Sequence, residues 1–522
     1  MTASTTADAI LEHIKSLASD RFEGRSPGSD GERITIDYLR DCCRDIGLAP
    51  AGEDGYFQRV PVIGIKSKPV MTFKTGSSIL APAFPEQFVA MSRSRQDAVE
   101  IENAPVVFAG YGIEAPEYGW NDYKDLDVRG KVVIVLIGQP GRPDREDSTK
   151  LDESFFRGRA LTYYGRWTYK YEKASEKGAA AILIVHESGP AGYGYDVVKA
   201  SWSGENFDLG RAQKRVQAEG WLSLESAEKL FAMSARSYQE LKKSAGQPDF
   251  EPVDLGTTAD LSVANTTREF DSHNVLAMIE GEDPDLKREC IVYSAHWDHF
   301  GKKEKDGKVE IYSGALDNGS GVAMVLEIGR RFVEKKPRRS ILFLFTTLEE
   351  SGLIGSQYYI QHPVFPLERT VAVINLDVMN LWGATREIIS IAHGHSTLDE
   401  SLSARAAEQN RAVIPDVEPE KGYFYRSDHL PFLQSGVPAL FFLNPGSSYI
   451  GKDPDYATLK KADYISNDYH KPSDKVKDDW DMAGAVEDVE LLFRVGQDLV
   501  NDSGRPSFKP ASEFFKEYQK TN

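Results

Sequence analysis

A set of imidazole and carboxylate residues in the second half of the chain falls where apolar runs end or helices begin. His296 and Asp298 lie in SAHWDHFG, Asp317 in GALDNGSG, Glu349 and Glu350 in FTTLEESG, Asp377 in INLDVMN and His470 in NDYHKPSD. Imidazoles and carboxylates without thiolates suit zinc in a catalytic site, where each ion keeps a position open for water or substrate. His296, Asp317, Glu350, Asp377 and His470 supply five ligands. If Asp317 is shared, each of two ions receives one histidine, one terminal carboxylate and half of the bridge, at a separation of about 3.5–4 Å. Glu349 is then left over to act as a general base. Asp298, two residues after His296, is spaced to accept the second ring proton of that histidine or to hold it through the backbone, fixing its tautomer.

Taken singly these residues are ordinary. A lone histidine or carboxylate is mostly structural, LDNGSG reads as a turn and helix cap, and an adjacent glutamate pair is mostly surface charge. The ordered set, delivered to strand ends within one domain, is what points to chemistry. Ligands gather at the carboxyl ends of the strands in parallel α/β sheets.

The elements that must position these groups are legible as periodic runs. After Asn265 the chain alternates HNVLAMIE, ECIVYSAH, a helix NGSGVAMVLEIGRRFVEKK, SILFLFTT, a helix ESGLIGSQYYIQH and TVAVINLD. Continuous apolar strands separated by amphipathic helices predict an α/β domain with a mostly parallel central sheet flanked by helices. Two further helices are predicted at Thr5 to Ser19 and Asp30 to Ile46, on either side of the glycine-rich FEGRSPGSDGE. Between about Val60 and Val253 the texture changes to short β-rich runs, read as an inserted domain whose middle, RGRALTYYGRWTYKYEKASEKGA, is helical. The expected division is therefore 1–60 with 260–505 as the catalytic domain, 61–259 as the insert and 506–522 as a tail.

With 80 acidic against 62 basic residues and a net charge of −18, the chain repels phosphate backbones, which argues against nucleic acid as a partner. No apolar run approaches the roughly 18–20 residues that span a bilayer. Cys42, Cys43 and Cys290 form no disulfide framework. The first residues show neither the basic segment nor the apolar core of a signal peptide. No GxSxG elbow is present and no cysteine neighbours a motif histidine, so serine or cysteine nucleophilic catalysis is disfavoured.

These motifs, in this order, resemble the dinuclear zinc exopeptidases of metallopeptidase family 28, which includes bacterial aminopeptidases and glutamate carboxypeptidase. The resemblance covers Ser272 to Val500, takes in the N-terminal helices, and extends to the insert, which resembles a protease-associated domain. It implies two zinc ions, one held by His296 and Asp377, the other by Glu350 and His470, with Asp317 bridging. It also implies a cis peptide at Asp317–Asn318 and a periplasmic or extracellular setting. The implied reaction is hydrolysis of the terminal bond of a peptide, most simply as an aminopeptidase. A water between the ions passes a proton to Glu349, attacks the carbonyl, and Glu349 returns the proton to the leaving amine. YRSDHLPFLQSGVPALFF resembles the family's segment beside the cleft, so His429 or Asp428 is expected to touch substrate, and Tyr469 is the other candidate for steadying the oxyanion.

Carboxypeptidase and dipeptidase activity stay open, as does oligomeric state. So does, more remotely, a non-catalytic binding module on the same scaffold. A second group of co-catalytic zinc carboxypeptidases and deacylases shares the order of ligands, but inserts a dimerisation domain after the glutamate pair. The stretch from Glu350 to His470 has no room for it.

Overall fold

The computed structural model describes residues 5–209, 215–305, 307–443 and 448–515. The chain divides into two compact units, one formed by Met1–Pro61, Asp271–Val417 and Arg426–Asn522, the other by Val62–Phe270 and Glu418–Tyr425. Composition alone set the return to the first unit at residue 260. That position lies inside a single long strand, Val253–Ile279, whose extended pattern shows no break where the chain passes from one unit to the other. Of the expected tail, residues 506–515 belong to the first unit and 516–522 lie outside the described residues.

In the first unit the sheet runs in the order Ala439–Leu443, Thr370–Asp377, Cys290–His296, Ser340–Thr346, then the end of Val253–Ile279. The first three pairings are parallel and the last is antiparallel, which is the mostly parallel α/β arrangement expected. Ser340–Thr346 and Thr370–Asp377 are buried along their whole length, the condition that continuous apolar strands satisfy when both faces of a sheet are covered.

Alternation separates the two faces. Ile291, Tyr293 and Ala295 join Ile341, Phe343 and Phe345 in the main core with the helices Thr6–Leu17, Asp30–Ile46, Ser320–Val333 and Ala483–Asn501. The close fit of the last helix is visible at Gly496, where an added Cβ would stand 1.8 Å from the Tyr293 hydroxyl oxygen. That hydroxyl donates to the Leu492 carbonyl at 2.8 Å. The opposite face carries Ser294, His296, Asn375 and Asp377.

The helix starts follow local chemistry. Thr5 caps Thr6–Leu17 in a reciprocal capping box with Asp8, and Ser29 caps Asp30–Ile46, whose far end stops at Gly47 in the left-handed region with φ 96°.

The second unit has its own mixed sheet, ordered from the start of Val253–Ile279 through Ala98–Phe108, Val132–Leu136, Ala181–His186 and Ala218–Ser223 to Phe88–Met91. Buried apolar clusters lie on both of its faces. The helix expected in its middle is confined to Trp167–Glu176. Ahead of it Thr162 and Arg166 are extended, with ψ 170° and 144°, which breaks a helix. Among the described residues no helix is long and apolar enough to cross a membrane.

Candidate metal centre

Register places the chemistry. His296 is the last residue of its strand and pairs with Thr346, the last of the neighbouring strand; Asp377 ends the strand on the other side. Three parallel strands thus deliver His296, Asp377 and the Thr347–Glu350 loop to one edge of the sheet.

Each group is held from behind. The amides of Glu349 and Glu350 donate to the Asp298 carboxylate at 3.0 and 3.4 Å, and Thr347 N–H donates to the Asn274 side chain. Asp298 therefore positions the glutamate pair through its side chain. It meets His296 through its backbone, the His296 Nδ1 lying 3.2 Å from the Asp298 carbonyl oxygen, the second of the two arrangements that the spacing allowed. Asp377 Oδ2 accepts from Ser427 Oγ at 2.8 Å, and Ser427 in turn accepts from Asn375 Nδ2, whose carbonyl accepts from Ser294.

Asp317 lies in the irregular turn Ala315–Gly319 that precedes helix Ser320–Val333, and the Asp317–Asn318 peptide is cis. This turn is gripped from two sides. Asp474 accepts the Leu316 and Asp317 amides at 3.0 and 3.1 Å. Arg25, 1 % exposed, donates to the carbonyls of Leu17, Trp297, Ser313 and Gly314 at 2.6–2.8 Å.

The donor atoms converge on Asp317. His296 Nε2 is 3.4 Å from Asp317 Oδ1 and 3.4 Å from Asp377 Oδ1. His470 Nε2 is 3.3 Å from Asp317 Oδ2 and 3.2 Å from Glu350 Oε2. One carboxylate oxygen of Asp317 thus faces each histidine. Donors on a tetrahedral zinc with bonds of about 2.0–2.1 Å lie roughly 3.3–3.4 Å apart, so these spacings match the edges of two coordination spheres better than hydrogen bonds. His296 Nε2, Asp377 Oδ1 and Glu350 Oε1 are buried without a hydrogen-bond partner among the described residues, the state expected of groups whose partner is a cation. The residues fit a metal centre. His296, Asp317 and Asp377 form one group able to hold an ion, and His299, Asp317 and Glu350 form another.

The electrostatics point the same way. Burial, reinforced by neighbouring carboxylates, pushes Glu349 well above its ordinary range and Glu350 up to about 8; Asp298 rises to about 7, again mainly through burial. Burial opposes charge on His296, but Glu349 and Asp377 outweigh it and hold the ring well above its ordinary value. Such a concentration of desolvated carboxylate is relieved by a divalent ion. Glu349 is 8 % exposed and its Oε2 is 3.8 Å from His296 Nε2.

Tyr469 is half-buried and stacks on His470 with ring centroids 3.7 Å apart; burial and the carboxylates of Asp317 and Glu350 raise its pKa, so the phenol keeps its proton. His429 and Asp428 do not fit the expected substrate contact. Both are 0 % exposed, with His429 stacked on Phe441 at 4.1 Å and Asp428 accepting from Thr346 and Ser356. A polar pair next to a cleft segment in sequence is here spent on packing the helix His429–Gln434. Sequence reasoning gave no role to His299, Asp474, Ser427 or Arg25, although His299, Asp474 and Ser427 lie inside the motifs SAHWDHFG, NDYHKPSD and YRSDHLPFLQSGVPALFF. A cavity of about 140 Å³ is lined by Leu316, Tyr464, Asp468 and Asp474 but by none of the five donors, so the donors, rather than concavity, identify the site.

Residues 274–493 match peptidase family M28. The chain is 27 % identical over 210 residues to the aminopeptidase YwaD of Bacillus subtilis, a match covering 40 % of each protein. It is 36 % identical over 149 residues to the aminopeptidase NAALADL1 of Mus musculus, covering 26 % of this chain and 18 % of that protein. The matches thus span less than half the length of these relatives. The solved aminopeptidase from Aneurinibacillus sp. strain AM-1 superposes with a TM-score of 0.53 at 19 % identity, covering 97 % of this chain and 96 % of that one, and so shares its fold. Motif order, the donors gathered at the strand ends and the match over residues 274–493 lead to one conclusion: the chain carries a peptidase family M28 domain.

Proposed function

We propose that the protein is a zinc-dependent aminopeptidase that releases the N-terminal residue of peptides. The observation that carries this reading is the spacing of 3.2–3.4 Å from the two histidines to Asp317 and to their own terminal carboxylates, with Glu349 beside the set and outside it. His296 and Asp377 would hold one zinc ion and Glu350 and His470 the other, with Asp317 placed to serve both. When bound, the ions supply polarisation of the scissile carbonyl and the acidity that makes a water a nucleophile at neutral pH.

The chain's own residues do the rest. Glu349, desolvated and poised to be protonated, takes the proton of the attacking water and returns it to the leaving amine. Asp298 fixes where Glu349 stands by accepting its amide. Tyr469, protonated and stacked on His470, is the side-chain donor for the oxyanion. The names of the relatives favour aminopeptidase over carboxypeptidase or dipeptidase. The test is release of free amino acid from C-blocked and N-blocked peptides. Cleavage of the C-blocked peptide alone supports the reading, and cleavage of the N-blocked one alone overturns it.

A further inference from the structure

His299 is an unexplained histidine. Its ring is buried, and neither Nδ1 nor Nε2 has a hydrogen-bond partner among the described residues. An imidazole taken out of water with both nitrogens idle loses hydration and recovers nothing. Its Nδ1 nevertheless stands 2.7 Å from Glu350 Oε1, an oxygen that is itself buried and without a hydrogen-bond partner. The two atoms lack the alignment of a hydrogen bond, and they stand closer than the roughly 3.3–3.4 Å of neighbouring donors on a tetrahedral zinc, so a shared ion would spread them slightly. One donor atom each from His299, Asp317 and Glu350 lies within 4.8 Å of the others.

The backbone makes room for this ring. Gly314 has φ +55°, and a Cβ there would lie 2.7 Å from His299 Cδ2 and 2.4 Å from the Asp317 carbonyl oxygen. The His299 amide is tied to the Arg25 carbonyl at 3.2 Å, the same Arg25 that grips the turn carrying Asp317.

We propose that His299 is a further ligand of the ion held by Glu350 and His470. This rests on the metal-centre reading above and adds an asymmetry to it. The Glu350 ion then has four protein donors, Asp317, Glu350, His470 and His299, whereas the other has three, Asp317, His296 and Asp377. Four protein donors close a zinc site and three leave it open. The open position therefore belongs to the His296 ion, beside which Glu349 stands, and the Glu350 ion is the tighter and more structural of the two.

The experiment is titration of the chelator-stripped full chain with zinc against a chromophoric competitor, for wild type, His299→Ala, His299→Asn and Asp377→Asn, with circular dichroism to check folding. Wild type is expected to take up two ions of distinct affinity. His299→Ala and His299→Asn each weaken the tighter step by about 10-fold or more and spare the weaker, and Asp377→Asn weakens the other step. Unchanged titration of both His299 variants overturns the proposal, as does restoration by asparagine, which keeps a hydrogen-bonding group near Glu350 but is a poor zinc ligand. Uptake of a single ion by wild type overturns the paired-ion reading instead. The His299 assignment then stands if His299→Ala weakens that ion and falls if it does not.

Discussion

In the proposed mechanism Glu349 and Glu350, neighbours in sequence, have opposite duties, and the difference is measurable. Glu349 lies outside the donor set, so Glu349→Gln is expected to lower turnover by about 10²- to 10⁴-fold with zinc content near wild type. Glu350→Gln removes a proposed ligand, so zinc content itself is expected to fall. Metal analysis and steady-state rates, taken side by side, check both. Asp298 is the residue on which both depend, since it accepts their two amides. Asp298→Ala leaves those amides unsatisfied and is expected to cost about 1–3 kcal/mol for each group left buried, read in urea unfolding, whereas Asp298→Asn keeps one acceptor and loses less.

The donor residues themselves were legible because strand ends can be read from apolar runs, and a parallel sheet collects strand ends. Their supports were not. Asp474 reaches Asp317 across 157 residues and Arg25 reaches Ser313 across 288, distances at which no periodicity links partner to partner. His429 misled for the same reason, since proximity in sequence to a cleft segment says nothing about which way a side chain is buried.

Among the elements, the strands and helices of the first unit follow the pattern that their apolar periodicity predicts, because each is buried by neighbours that obey the same pattern. The seam between the last helix and the sheet was not visible in advance. Gly496 sits in Ala483–Asn501 where a side chain would strike the Tyr293 hydroxyl. Gly496→Ala is expected to destabilise by about 1–3 kcal/mol through overpacking. Tyr293→Phe removes the struck atom, so the double variant is expected to be less destabilised than the sum of the singles, by about 0.5 kcal/mol or more. Strict additivity in thermal unfolding would show that the helix shifts instead. The expected helix in the second unit was overlong because Thr162 and Arg166 are extended, a backbone state that their residue types do not announce.

For the molecule as a whole, the proposed metal centre links zinc binding to the fold. An ion that binds only the folded chain adds about 2.7 kcal/mol when present at 100 times its dissociation constant. Stripping with a chelator is therefore expected to abolish hydrolysis and lower the melting temperature together, with zinc restoring both; loss of activity at an unchanged melting temperature would separate the site from the fold. The second unit supplies none of the donors. Tyr163 and Tyr164 are engaged there with Glu172 and Glu117, and Trp167 packs against Tyr171 and Trp202. Tyr164→Ala and Trp167→Ala are therefore expected to leave zinc content at the wild-type value, read by metal analysis of the purified variants.

The chain leaves the first unit twice, at Pro61–Val62 and again at Val417–Glu418. The second excursion is only the eight residues Glu418–Tyr425, held by Leu161, which donates to the Pro419 carbonyl, and by Arg159, which pairs with Glu420. One residue after the chain returns at Arg426 comes Ser427, the hydroxyl that holds Asp377. Trimming the protein to a minimal hydrolase by splicing residue 61 to residue 271 would therefore strand this short segment, stripping Pro419 and Glu420 of their anchors just upstream of a ligand's support. A shortened enzyme has to be cut and rejoined at two places, with a new turn designed from Val417 to Arg426.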